Sequence, residues 1–215
     1  MEKVVTLIPA RGGSKGIKGK NIIDINGRPL LSYAIEASIA SKVDETWVST
    51  DDESIAKVAL ECGAKVIKRP SILATDKSTS ESALLHFSEH ESFDTLVFLQ
   101  ATCPFVVSQD IDSAIDMMKE YDSVLSVSKL EQLFLWSDSG PMYDINNRQR
   151  RQNCEQNYIE TGSMFVTTRK GLVESNNRLS GNIGYVEVPK WRSIDIDTYE
   201  DLEFARKIMH AKSIK

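Results

Sequence analysis

Short runs of apolar residues alternate along the chain with segments whose apolar positions recur every three or four residues. Residues 4–8 form a β-branched run that ends at Pro9, which predicts a buried first strand. Further strands are predicted at residues 46–49, 64–67, 95–99, 123–128, 163–167 and 183–188. The run at 95–99 is the most apolar of these and is expected to lie at the centre of a sheet.

The segments between the strands show helical periodicity. One helix is expected to begin just after Pro29, a second to end at Gly63, and a third to span residues 80–90. A fourth includes residues 111–118, and the last starts at a capping pair, Thr198 and Asp201. This alternation predicts an α/β fold with a mostly parallel central sheet and ligands at the carboxyl ends of the strands.

The chain has 215 residues, which is enough for one domain, 1–215, and too few for two ordinary domains with a linker. Within it the periodicity fades from residue 129 to about 160, so this segment is expected to form a mobile flap or an arm that packs elsewhere.

Composition narrows the function classes. Lys and Arg number 26 against 31 Asp and Glu, a net charge of −5, which argues against holding nucleic acid by bulk charge. Neither a signal peptide nor an apolar run near 18 residues is found, so no membrane partner is expected. The three cysteines form no C-x-x-C pair, which fits a reducing, cytoplasmic location.

A glycine-rich, basic loop follows the first strand. Residues 9–21 contain four glycines together with four cations, Arg11, Lys15, Lys18 and Lys20. Glycines let main-chain amides approach a ligand closely, and clustered cations in an acidic protein favour a polyphosphate. The spacing matches neither a Walker A loop nor G-x-G-x-x-G. The alternative is a flexible exposed loop without a ligand.

Two other strand ends carry candidate chemistry. Asp195 and Asp197, at i and i+2 on an extended segment, would point to the same side and could hold Mg²⁺; equally, they could be dipole-compensating acids beside the last helix. Gln100 and Thr102 follow the most apolar strand and suit a hydroxylated ligand.

Two further patterns are weaker. Residues 86–90 read H-x-x-E-H, the spacing of an inverted zinc-protease helix, but a third zinc ligand is missing from the motif. Cys103 as a nucleophile has no partner histidine near a predicted loop of the same sheet edge.

Taken together, the loops resemble one enzyme family. The run from Leu7 to Asn21 is similar to the nucleotide-binding signature of the sugar-acid cytidylyltransferases, in particular the N-acylneuraminate (sialic acid) cytidylyltransferases and relatives acting on other nonulosonic acids. Matching segments follow in order at residues 48–52, 68–76, 99–104, 150–152, 160–163 and 193–197. The resemblance therefore covers nearly the whole chain.

The resemblance implies a Rossmann-like nucleotidyltransferase fold and the reaction of CTP with a 2-keto sugar acid to give a CMP-sugar and pyrophosphate, with Mg²⁺. It implies catalytic roles for Arg11, Lys20, Asp195 and Asp197, the last two as metal ligands. Nucleotide-binding roles are implied for Arg11, Gly12, Gly13, Ser14, Lys15, Asn21, Arg69, Ser78 and Ser80, and sugar-acid contacts for Gln100, Thr102, Arg151 and Gln152. It also implies a homodimer in which residues 129–160 form an arm that reaches the neighbouring site.

Two departures from the family pattern leave the sugar acid open. Phe105 and Val106 stand where many relatives have Leu-Arg, and Thr161 stands where relatives usually have Asn. N-acetylneuraminate is the first choice, ahead of legionaminate-type acids, pseudaminate and 3-deoxy-manno-octulosonate. The alternative from another class is a nucleotide-binding module without catalysis.

Overall fold

The alternating pattern folds into one mixed seven-stranded sheet with helices on both faces. The computed structural model describes residues 2–130 and 134–213. The strands are β1 (Val4–Pro9), β2 (Asp24–Ile25), β3 (Arg28–Pro29), β4 (Glu45–Thr50), β5 (Lys65–Lys68), β6 (Thr95–Leu99), β7 (Ser123–Leu130), β8 (Trp136–Ser137), β9 (Gly140–Pro141), β10 (Asn157–Thr168) and β11 (Ile183–Glu187). The helices are α1 (Leu30–Ile39), α2 (Glu53–Glu61), α3 (Ser80–His90), α4 (Ser108–Met117), α5 (Arg169–Ser175) and α6 (Tyr199–Ser213).

The strand order of the large sheet is β11-β7-β10-β6-β1-β4-β5. All neighbours are parallel except β10, which runs antiparallel to both β6 and β7. The predicted mostly parallel sheet is therefore confirmed. β10 is longer than the pattern predicts, because its first six residues are polar or exposed and show no alternation of buried positions. Helix α5 was not predicted.

The described residues form three core clusters: one on each face of the sheet, and a third that includes Ile17, Ile196 and Leu202 and joins the glycine-rich loop to α6. In β6, Val97 and Leu99 pack with α1, α2 and α4, whereas Leu96 and Phe98 pack on the opposite face with α3. All five residues of β6 are buried, which explains why its sequence is continuously apolar rather than alternating. The predicted central position of this strand is confirmed.

Helix starts use the side-chain caps that the sequence contains. Asp52 accepts hydrogen bonds from the amides of Ser54 and Ile55 at the start of α2. Before α6, Asp201 accepts from the Thr198 amide and Thr198 Oγ1 accepts from the Asp201 amide, the predicted reciprocal cap. Across the described residues, no helix has the length and apolar character needed to cross a membrane.

The irregular segment between β7 and β10 is shorter than residues 129–160, because β7 continues to Leu130 and β10 begins at Asn157. Residues 134–156, here called the arm, contain the β8–β9 hairpin and a short 3₁₀ turn at Arg151–Asn153. Their apolar side chains are open to solvent: Trp136, Met142 and Ile145 are each more than 60% exposed. Residues 131–133 of the predicted arm lie outside the described residues.

Candidate active site

A cavity of about 340 Å³ opens at the carboxyl ends of β1 and β6, between the glycine-rich loop and the start of α3. Eleven of the residues singled out in the sequence border it: Arg11, Ser14, Lys15, Lys20, Asn21, Arg69, Ser78, Ser80, Gln100, Thr102 and Asp197. They come from five separate segments of the chain. The fold thus brings the predicted phosphate side and the predicted sugar side into one space.

The glycine-rich loop is tied down at its two ends. At its start, the Gly12 amide donates to Asp51 Oδ1 at 3.0 Å, and the Arg11 carbonyl accepts from the buried Asn21 side chain at 2.9 Å. Within the described chain, the amides of residues 13–16 donate no hydrogen bond, so they are left for a ligand. A Cβ at Gly16 would overlap the main-chain oxygen of Asp197, which explains a glycine there.

Three cations of the loop, Arg11, Lys15 and Lys20, are paired with carboxylates that come from other segments. Asp76 bridges two of them, with Arg11 Nη1 at 2.9 Å and Lys15 Nζ at 2.8 Å. These two cations, with Lys15 the larger influence, lower the pKa of the Asp76 carboxyl. Lys20 Nζ contacts Asp197 Oδ1 at 2.7 Å. Asp76 was part of a matched segment but was not predicted as a site residue.

Arg69 is the buried cation of the cavity wall. The residue is 5% exposed and its Nε is buried, with no hydrogen-bond partner in the described chain. Burial lowers its pKa, and the negative charge of Asp51 opposes that effect. A buried guanidinium with an unused donor is suited to an anionic or carbonyl oxygen from a ligand.

The turn before α3 supplies hydroxyl groups. Ser78 Oγ accepts from the Thr75 amide at 3.1 Å, and Thr79 caps the helix by accepting from the Ser82 amide at 3.2 Å. Ser80 is the first residue of α3, so the partial positive charge of an eleven-residue helix faces this side of the cavity.

Gln100 and Thr102 form the opposite wall beyond β6. Thr102 Oγ1 lies 3.3 Å from Gln100 Oε1, and the Gln100 amide donates to the Ser163 carbonyl of β10 at 3.1 Å. A Cβ at Gly162 would lie 3.2 Å from Gln100 Nε2, so the Gly162 main chain lies close to the side-chain amide of Gln100.

Thr161, the departure from the family pattern, belongs to a buried hydroxyl cluster. Its Oγ1 lies 2.6 Å from Ser126 Oγ and 2.9 Å from Ser163 Oγ, between β7 and β10. It does not border the cavity. In this chain Thr161 links β10 to β7 through side-chain hydrogen bonding with Ser126.

The two predicted metal ligands have different surroundings. Asp195 is partly buried and its Oδ1 has no hydrogen-bond partner in the described chain. Burial raises its pKa and the charge of Asp197 adds to this effect, whereas a Thr102 hydrogen bond and the charge of Lys20 oppose it. Asp197 has a side chain that is 71% exposed and borders the cavity. Asp195 does not border it.

These residues fit a single hard cation. Asp195 Oδ1 is buried and has no hydrogen-bond partner in the described chain, and the charge of Asp197 adds to the effect of burial, so a cation bound between the two carboxylates would stabilise them beyond what Thr102 and Lys20 provide. The described residues contain no group of three or more His, Cys, Asp or Glu side chains that could hold a metal by themselves. Mg²⁺ is commonly held by one or two carboxylates together with substrate phosphates, so two protein ligands suffice.

Three further predicted site residues, Gly12, Gly13 and Gln152, do not border this cavity. Gly12 faces the turn before α2, where a Cβ would be 2.8 Å from the Asp52 side chain, and Gly13 has open space beside it. Gln152 is exposed in the 3₁₀ turn of the arm. The main chain of Arg151 lies in the same turn, and its side chain is outside the described part of the structure.

The Cytidylyltransferase family model matches residues 5–175. The chain belongs to this cytidylyltransferase family. It is 36% identical over 217 residues to N-acylneuraminate cytidylyltransferase A of Danio rerio, covering 95% of this chain and 50% of that protein. It is 31% identical over 220 residues to the pseudaminic acid cytidylyltransferase of Campylobacter jejuni, covering 95% of both chains.

Among solved structures, a CMP:2-keto-3-deoxy-manno-octonic acid synthetase complexed with CTP matches with a TM-score of 0.77. The match covers 98% of this chain and 99% of that chain at 19% identity, which shows a shared fold. The chain spans about half the length of several curated N-acylneuraminate cytidylyltransferases that it matches.

Proposed function

We propose that the protein transfers CMP from CTP to the anomeric hydroxyl of a nonulosonic acid and releases pyrophosphate. The observation that carries this proposal is the division of the cavity. Unused loop amides and the cations Arg11, Lys15 and Lys20 lie on one side, whereas Gln100 and Thr102 lie on the other. The names of the relatives support the same reaction class.

In this proposal the chain's own groups act mainly by positioning and charge. The amides of residues 14–16, Arg11 and Lys15 bind the triphosphate, which replaces the carboxylate of Asp76 on the two cations. Lys20 stabilises negative charge that develops on the phosphate oxygens as pyrophosphate leaves. Asn21, Arg69, Ser78 and Ser80 hold the nucleoside side.

The sugar acid is oriented by Gln100 and Thr102 so that its anomeric hydroxyl lies in line with the α-phosphorus and the departing pyrophosphate. Asp195 and Asp197 would hold Mg²⁺. When bound, the ion would add positive charge at the reacting phosphate. The retained acids favour catalysis over the alternative of a binding module.

A homodimer is part of the proposal. The exposed apolar residues of the arm, including Trp136, Met142 and Ile145, provide a surface that a second copy could cover. The same arm carries Arg151 and Gln152, which would serve the neighbouring cavity; Gln152 does not border this chain's own cavity. The three cysteines are free thiols, which is consistent with work in a reducing cytoplasm.

The test is pyrophosphate release with CTP and Mg²⁺ against N-acetylneuraminate, legionaminate, pseudaminate and 3-deoxy-manno-octulosonate. ATP, GTP and UTP are the nucleotide controls. We expect release with CTP and one nonulosonic acid, with N-acetylneuraminate the first choice. Silence across the panel while CTP still raises the melting temperature would instead support a nucleotide-binding module.

A further inference from the structure

The turn from Thr50 to Asp52, between β4 and α2, lies behind the glycine-rich loop and does not border the cavity. Asp51 Oδ1 accepts the Gly12 amide at 3.0 Å in a partly buried hydrogen bond. The amide of Gly12 is the donor next in sequence to the unused amides of residues 13–16. Asp51 thus holds the main chain at Gly12, immediately before the residues whose amides are unpaired.

The packing at Gly12 requires this close approach. A Cβ on residue 12 would lie 2.8 Å from both Cβ and Oδ2 of Asp52, closer than real Cβ atoms come to other groups. The absence of a side chain at Gly12 therefore allows the loop to reach the carboxylate of Asp51.

Asp51 also acts on Arg69 from the same turn. The Arg69 amide donates to the Thr50 carbonyl at 2.8 Å, so the ends of β4 and β5 meet beside the cavity. The guanidinium is buried with its Nε unpartnered in the described chain, and the negative charge of Asp51 opposes the lowering of its pKa by burial. The turn thus contacts the loop through the Asp51 carboxylate and the Arg69 main chain through the Thr50 carbonyl.

We propose that Asp51 is a positioning residue that holds the glycine-rich loop in the geometry that binds the nucleotide, without touching the nucleotide itself. The proposal rests on the proposed function for the identity of the nucleotide. The proposal that Asp51 holds an anion-binding loop in place does not depend on the nucleotide. Binding of an inorganic polyphosphate alone tests it.

The adjacent Asp52 provides a matched control. It caps α2 through the amides of Ser54 and Ile55, so Asp52→Ala removes a helix cap, which costs about 1 kcal/mol. The control removes one carboxylate from the same turn and keeps the Cβ that faces Gly12. It reports what a general loss of local stability does to binding.

The experiment measures dissociation constants for CTP and for inorganic tripolyphosphate by calorimetry, together with kcat, KM and melting temperature, in wild type, Asp51→Ala, Asp51→Asn and Asp52→Ala. We expect Asp51→Ala to weaken both ligands about tenfold or more, which corresponds to about 1.4 kcal/mol, and to raise KM more than it lowers kcat. Asp51→Asn keeps an acceptor oxygen and is expected to restore part of the tripolyphosphate affinity. Asp52→Ala is expected to lower the melting temperature while both dissociation constants stay at wild-type values.

Wild-type affinities in Asp51→Ala would overturn the proposal, as would equal weakening in Asp51→Ala and Asp52→Ala. Asp51→Asn, whose side chain has nearly the same size, keeps these comparisons available if the alanine variant fails to fold. If wild type binds tripolyphosphate but not CTP, the proposed function fails, while the tripolyphosphate comparison still decides the role of Asp51. If wild type binds neither ligand, both proposals fail.

Discussion

The cavity wall and the arm differ in how far apart in sequence their contacting residues lie. In the cavity wall, contacts join residues far apart in sequence: Lys20 meets Asp197, and Asp76 meets Arg11 and Lys15. In the described part of the arm, ring contacts join near neighbours, such as Phe134 with Tyr143 and Arg148.

This difference has a functional meaning. On the loop side of the cavity, the ion pairs of Arg11, Lys15 and Lys20 all form within one chain. The arm presents apolar surface that the described chain leaves exposed, so its stability and its role depend on what covers it. Variants in the two regions should therefore separate chemistry from assembly.

Asp197→Ala should have the largest effect. Its carboxylate borders the cavity and pairs with Lys20 at 2.7 Å, so its loss should lower kcat/KM at least about a hundredfold. The melting temperature should change little, because exposed ion pairs contribute little to stability. Steady-state pyrophosphate release measures the first effect and thermal melting the second.

Glu200→Ala is the control for Asp197→Ala, since Glu200 is an exposed acid in the first turn of α6 and does not border the cavity. It should leave kcat/KM at the wild-type value. Wild-type turnover of Asp197→Ala in excess Mg²⁺ would remove Asp197 from the metal site. Lys20→Ala should likewise slow the reaction, and an unchanged kcat/KM would exclude Lys20 from the chemistry.

Gly16→Ala should distort the cavity by steric overlap rather than by loss of a charge. The added methyl group would overlap the main-chain oxygen of Asp197, so the loop and the 195–197 segment must separate, at a cost of about 1–3 kcal/mol. Gly13→Ala is the matched control, because a Cβ there has open space around it. Thermal melting of both variants without ligand checks the difference, and equal melting temperatures would show that Gly16 is not under steric constraint.

The fold was predictable where its signal is local. The buried runs of β1 and β6 and the cap at Thr198 and Asp201 are visible in a few neighbouring residues, and the structure has them as predicted. The start and direction of β10 were not predictable, because residues 157–162 lack alternation and a strand's partner does not appear in its own sequence.

Some residues of the site were likewise predictable from local composition, whereas others depend on tertiary contacts. The glycines and cations of the loop mark a phosphate site by composition, whereas Asp76 and Asp51 act on it only through tertiary contacts. The contrast between partly buried Asp195 and exposed Asp197 was equally hidden, because their spacing alone predicts a common side. Residues that position others therefore leave a weaker sequence signal than residues that contact a ligand.

The arm should respond to surface changes by losing assembly rather than fold. Replacing Trp136 and Met142 together by Ser should shift a homodimer toward monomer and lower activity severalfold, while the melting temperature of the monomer stays similar, because both side chains are already more than 60% exposed. Analytical ultracentrifugation over a concentration series measures the shift.

Leu60→Ser is the control for the arm variant, because Leu60 is a 60% exposed apolar residue on α2. A wild type that is monomeric at all concentrations would contradict the proposed role of the arm.

The smallest expected effect is a pH dependence of stability from α3. His86 is 8% exposed, and burial lowers its pKa, with the neighbouring His90 and Arg69 acting in the same direction and Glu89 opposing them. The unfolded chain then binds the proton more readily, so His86 destabilises the folded state as the pH falls below its unfolded value of about 6.5. Above that pH the effect is absent. His86→Gln should therefore lose less stability than wild type between pH 7 and pH 5, by about 2 °C in melting temperature, whereas the control His210→Gln, at an exposed position of α6, should follow wild type. Parallel melting curves for wild type and His86→Gln over this range would show that the buried imidazole does not oppose protonation.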